Sequence, residues 1–274
     1  MKKLAVVVSG WHFPLSFYKM ISEQEIPDGW SVDLFCVSHR DPLYAKNEKS
    51  SFISKLGYSR RELYDRILYE KIASIEDLKS LGWKYVFEPN TIGDWGNTNQ
   101  WLEKNDYKKY DIFLFSHDDN FILTNKMFTE VLPENDWMIL TNSTGNSQRR
   151  IRNWFCLPKP LNIRGSFEFF SKEMMDIMGG KFDLSETSLN REGKFEASSS
   201  MSELTDWNST VYPLAKLIKS RNLISKIKAL SKYYRMSRYC LEGERGYISK
   251  TEPSNTKEEE IGLDMVEKYY NIKK

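Results

Sequence analysis

The chain has 274 residues, a net charge of +2, 40% hydrophobic and 28% charged side chains, a balance that is ordinary for a soluble globular protein and argues against a whole-molecule polyanion binder. The length suits one large domain or two small ones. Cys36, Cys156 and Cys240 are odd in number, far apart and without metal-ligand spacing, which argues against a disulfide framework or zinc site and for a reducing, cytoplasmic setting.

Leu4–Val8 reads as a first buried strand, since its apolar run is too short for a signal-peptide core. Trp11 to Glu25 has the apolar spacing of a helix, and Pro27-Asp28-Gly29 marks a turn. Ser31–Val37 is a second strand, so the opening is a βα unit of a parallel sheet. Lys46 to Gly82 is charged and helical in period, Tyr85-Val86-Phe87 a short strand, and Asn99 to Tyr107 a helix. Asp111–Phe115 and Met138–Leu140 read as strands four and five. Ser171 to Met178 reads as a helix stopped by Gly179-Gly180. Asp206 to Arg221 is a further helix candidate, and Ile224 to Arg238 a basic amphipathic one. No run approaches the roughly 20 apolar residues of a membrane-spanning helix. The expected fold class is α/β: a mostly parallel sheet flanked by helices over 1–222, with a helical, basic C-terminal extension over 223–274.

The most informative segment is Ser116-His117-Asp118-Asp119-Asn120, which follows the apolar run Ile112–Phe115. Ligands of open α/β sheets bind at the carboxyl ends of strands. Adjacent carboxylates there suit Mg²⁺ or Mn²⁺, ions that commonly hold a substrate phosphate as well. The alternative is a solvated turn in which one aspartate caps the next segment.

Four pieces in order resemble nucleotide-sugar-dependent glycosyltransferases of the GT-A fold, in particular the inverting family 2 type. They are Val6-Val7-Val8-Ser9, then Asn90 with Asp94-Trp95-Gly96-Asn97-Thr98-Asn99-Gln100, then His117-Asp118-Asp119, and last the half beginning Gly165-Ser166-Phe167-Glu168-Phe169-Phe170. The last piece continues through Met178–Asp183 to Glu203-Leu204-Thr205-Asp206-Trp207. The match spans roughly 4 to 222, and His117 replaces the first aspartate of the metal motif.

The resemblance implies transfer of a sugar from a nucleoside diphosphate (UDP, GDP or dTDP) to a glycan or lipid-linked acceptor hydroxyl, aided by Mn²⁺ or Mg²⁺. Asp119 takes the place of the coordinating carboxylate. Asp118 binds the ion through water or holds a ribose hydroxyl, and His117 is a third ligand candidate. Nucleotide contacts fall to Ser9, Trp11, His39, Arg40, Asp41, Asn97 and Asn99. For Asp41, Asn97 and Asn99 the competing role is turn and cap chemistry. Asp206 is the candidate base with Glu203 in reserve, although Asp206 also suits a helix cap. The basic stretch from Lys216 to Arg238 fits a peripheral contact with an anionic membrane or lipid-linked acceptor, or a core-packed helix with solvated lysines. No nucleic acid is expected. Two other functions compete: a sugar nucleotidyltransferase, disfavoured because Ser9-Gly10-Trp11-His12-Phe13-Pro14 lacks the glycine-rich signature with Arg and Lys, and a non-catalytic nucleotide- or polyanion-binding module.

Overall fold

The structure is a computed structural model that describes residues 1–10, 13–39, 42, 72–89, 93–118, 120–134, 136–143, 161–162, 167–184, 213–214, 216–230 and 234–237. Strand β1 is Lys2–Ser9, followed by helix α1 (Leu15–Ser22) and strand β2 (Trp30–Ser38). Then come α2 (Ile75–Ser80), β3 (Trp83–Phe87), α3 (Gly93–Lys104), β4 (Ile112–His117), β5 (Asn120–Ile122) and α4 (Met127–Val131). Strands β6 (Ile139–Ser143), β7 (Leu161–Asn162) and β8 (Phe167–Ser171) precede α5 (Lys172–Ile177), and β9 (Ile227–Leu230) and β10 (Arg235–Ser237) end the described chain.

The main sheet has the order β3-β2-β1-β4-β8-β6-β7, with β9 added beside β6. Pairings β3-β2, β2-β1, β1-β4 and β6-β9 are parallel, while β8 runs antiparallel to both β4 and β6. This is the expected α/β sheet, mostly parallel and flanked by helices. Its strands alternate between two buried faces, as a sheet covered on both sides requires. Leu4, Val6, Val8, Leu114, Phe167 and Phe169 share one core with Phe17, Tyr18 and Ile21 of α1 and Phe128 of α4. Ala5, Val7, Phe113, Phe115 and Phe170 share the other with Trp95 and Trp101 of α3, Met174 and Met175 of α5, and Ile218.

Three elements depart from the sequence reading. Helix α3 begins at Gly93, six residues before the expected Asn99, because burial of Trp95 and Trp101 outweighs the poor helix propensity of Gly96 and Asn97. Much of the periodic stretch from Lys46 lies outside the described residues, and its described end is the six-residue helix α2, capped by Ser74 and Asp77 in a capping box. The basic stretch from Ile224 is not a helix: it makes a short 3-10 turn (Ile224–Lys226), then β9, then β10. Ile227 and Leu230 are buried in the two opposite cores, so the segment completes a sheet edge beside β6. The expected helix after Ser171 is present as α5, with the Ser171 hydroxyl accepting from the Met174 N–H. Gly179 and Gly180 end it at φ 73° and 76°, and the Gly180 N–H donates to the Met175 carbonyl at 2.8 Å.

Candidate functional site

The chain passes from β1 outward through β2 to β3, then returns to the other side of β1 as β4. The order therefore reverses between β1 and β4, and the carboxyl ends of those two strands border the crevice where open sheets bind ligands. In register, Ser9 pairs with His117 on one side and with Val37 on the other. The Ser9, His39 and His117 positions are thus the ends of three adjacent parallel strands. All three are residues that the sequence assigns to a ligand site.

The loop leaving β1 is held tightly. A Cβ at Gly10 would lie 2.8 Å from the Cys36 sulfur and 2.9 Å from the Phe13 ring, so only glycine fits. The Gly10 carbonyl accepts from the Ser38 hydroxyl at 2.6 Å. Phe13 takes φ 53°, a left-handed conformation unusual for a bulky residue, and its ring is fully buried. Its N–H donates to Asp118 Oδ2 at 2.7 Å, and its carbonyl accepts from the Ala73 N–H at 2.7 Å.

Asp118 is fully buried. The same Oδ2 also accepts from the Tyr18 hydroxyl at 3.2 Å, and that hydroxyl lies 3.3 Å from the Cys36 thiol. Burial first, then the Asp118 charge, pushes the Tyr18 phenol well above its ordinary range, so it stays a donor. Burial likewise pushes the Cys36 thiol up, with the Asp118 charge adding to it against a lowering hydrogen bond from Tyr18. Asp118 therefore joins the β1 loop, α1 and the end of β4 from the α1 side of the sheet, whereas His117, one residue earlier, belongs to the opposite face. The His117 carbonyl accepts from the Ser116 hydroxyl at 2.6 Å and the Asn120 amide at 3.1 Å, which shapes the turn.

On the α3 side, Asn97 Nδ2 lies 3.5 Å from His39 Nδ1. Asn97 is 1% exposed, and its Oδ1 is a buried acceptor with no partner among the described residues. An unpaired buried carbonyl near a helix amino terminus and a strand end suits a donor group on a bound molecule. Asn99 behaves differently. Its Nδ2 donates to the Phe182 carbonyl and its Oδ1 accepts from the Phe182 N–H, both at 2.9 Å. Both ends of that amide are engaged by the backbone, so Asn99 clamps the segment after α5 to α3, with Trp95 and Phe182 rings 4.0 Å apart beside it.

Two features were missed in the sequence. Glu168 of β8 sits opposite Phe115 of β4 and is fully buried, accepting from the Thr141 hydroxyl at 3.3 Å and the Phe167 N–H at 3.1 Å. A carboxylate in a run of phenylalanines was the available signal, since charges are rarely buried without a reason. The second is β10, which pairs with β5 and sets Ser237 opposite Asn120, returning the C-terminal stretch to the turn after β4. Trp11, Arg40, Asp41, Asp119, Glu203 and Asp206 lie outside the described residues. Among the described residues no three His, Cys, Asp or Glu side chains are grouped to hold a metal ion.

No protein-family model matches the chain, and no curated protein does. The structure is similar to solved glycosyltransferase structures. One is GlyE of Streptococcus pneumoniae TIGR4, at 10% identity and TM-score 0.39 over 85% of this chain and 46% of that one. A second is S. aureus TarS, at 13% identity and TM-score 0.41 over 97% of this chain and 44% of that one. A third is a mutant of Drosophila beta1,4-galactosyltransferase 7 in complex with manganese, UDP-Gal and xylobiose, at 9% identity and TM-score 0.41 over 94% and 79%. The chain thus spans less than half the length of the first two. Likenesses this shallow leave the functional reading to the chain's own topology and side chains.

Proposed function

We propose that this chain is a GT-A-type glycosyltransferase that moves a sugar from a nucleoside diphosphate to a glycan hydroxyl. The observation that supports this best is the reversal of strand order between β1 and β4, with a carboxylate-bearing turn at the end of β4. The nucleotide would lie across the ends of β1 and β2, against Ser9, His39 and the unpaired Asn97 carbonyl. Trp11, Arg40 and Asp41 are assigned to the same nucleotide on their sequence positions after Gly10 and His39.

Metal dependence is part of the proposal. Asp118 Oδ2 is already bound by Phe13 and Tyr18, so Asp118 suits positioning better than direct coordination. Asp119 is then the carboxylate to hold Mn²⁺ or Mg²⁺, with His117 at its side. Such an ion, when bound, supplies positive charge to a departing diphosphate. The chain's own part is to fix the turn, through Asp118 and the contacts to the His117 carbonyl. An inverting course is assigned to Asp206 as base, with Glu203 in reserve, and a well-placed base contributes about 10²–10⁴-fold.

Calorimetry with UDP, GDP and dTDP, with and without Mn²⁺, tests the reading. One of the three should bind more tightly with the ion, and Asp119→Ala should abolish that dependence. Absence of binding by any of them would reject it. NMR of the product anomer checks the stereochemistry, since a retained configuration removes Asp206 from its role.

A further inference from the structure

The eight cations between Asn208 and Leu241 face no Asp or Glu in that stretch, so against the overall +2 the rest of the chain carries net −6. The fold gathers part of this charge at one place. Residues 216–220 form a helical turn whose Ile218 is buried, while Lys216, Lys219, Arg221 and Lys226 are exposed around it. Leu217, Leu223 and Ile224 are only partly covered and lie among these cations. Lys228, on the edge strand β9, pairs with Asp136. Lys226 immediately precedes Ile227, which pairs with Ile139 at the start of β6. The cluster therefore sits at the amino-terminal end of the parallel strands, opposite the rim of Ser9 and His117.

We propose that this edge docks the protein on an anionic lipid bilayer. The segregation of charge favours a flat partner. A plane can touch the edge where the exposed cations cluster without meeting the far side of the molecule, while a flexible polyanion long enough to wrap the molecule would meet the acidic remainder and be repelled. Half-covered aliphatic side chains between the cations suit shallow insertion at the headgroup boundary. Docking in this way leaves the rim of the sheet open to solvent. The inference uses charge and exposure only, so it stands apart from the proposed transferase activity.

The test is flotation of the full chain with phosphatidylcholine vesicles, with and without phosphatidylglycerol. Binding should require phosphatidylglycerol and fade at high salt. The variant K219Q/R221Q/K226Q should weaken it roughly 100-fold, each exposed cation contributing about fivefold. The three substituted side chains are exposed, and an unchanged melting temperature checks that the variant is folded. A second variant, K219R/K226R, should bind as the wild type does. Equal binding to neutral vesicles, equal binding by the triple variant, or binding to duplex DNA in place of vesicles would overturn the proposal.

Discussion

Phe13 and Asp118 are 105 residues apart in sequence and joined by one 2.7 Å hydrogen bond from a strained backbone N–H to a buried carboxylate. That bond holds the left-handed Phe13 on the end of β4, and Tyr18 shares the same oxygen. Replacing Asp118 leaves the buried Phe13 N–H without its acceptor and the Tyr18 hydroxyl with only the Cys36 sulfur, a weak acceptor. Asp118→Ala should therefore cost about 2–4 kcal/mol, read as a lower urea midpoint at an unchanged slope.

Tyr18→Phe removes one of the two donors and keeps the ring packed against Trp83. The expected loss is about 1 kcal/mol of stability. If Asp118 positions the turn that carries Asp119, calorimetry should also show weaker Mn²⁺-linked nucleotide binding. Intact linkage in a folded variant would limit Asp118 and Tyr18 to a structural part.

Asn97→Leu discards a buried acceptor that has no partner among the described residues. Stability should stay level or rise, because an unpaired polar atom is replaced by an apolar side chain of similar size. Nucleotide affinity should fall about tenfold or more. Opposite directions in melting temperature and calorimetric affinity are the signature sought.

Asn99→Ala should do the reverse. It breaks both bonds to the Phe182 backbone, and a loss of about 2 kcal/mol is expected in denaturant titration. Its effect on nucleotide affinity should be smaller than that of Asn97→Leu.

The amino-terminal end of the sheet has its own pH response. Asp33 accepts from Tyr110 at 2.9 Å and pairs with Lys3 at 2.8 Å. Burial works to raise its carboxyl, but bonds from Lys3 and Tyr110, with the charges of Lys84 and Lys3, outweigh this and hold it low. A depressed carboxyl stabilises above its unfolded value and loses that contribution as pH falls. The deficit of Asp33→Asn should thus be full at neutral pH and shrink below about pH 4. Burial, then Asp33 itself, pushes the Tyr110 phenol up. Its contribution should be full below about pH 10 and fall as pH rises further, a decline absent in Tyr110→Phe. Urea midpoints across pH check both limbs.

By itself, the sequence determined the central strands. Runs such as Ala5–Val8 and Ile112–Phe115 are apolar throughout, too short for a buried helix and bounded by polar residues, which suits a strand covered on both faces. It also placed the ends of those strands within two residues, at Val8 and Phe115 against the observed Ser9 and His117, because polar residues interrupt the runs there. Tertiary structure alone decided what each polar group does. Asn97 and Asn99 are alike in sequence, yet α3 turns one toward His39 and the other onto Phe182. Asp118 became a buried brace because strand pairing brought β1 and β4 together, and Ile227–Leu230 became a strand because β6 offered it an edge. Local periodicity reports which side of an element is apolar; the partner that a hydrogen-bonding group finds depends on chain segments distant in sequence.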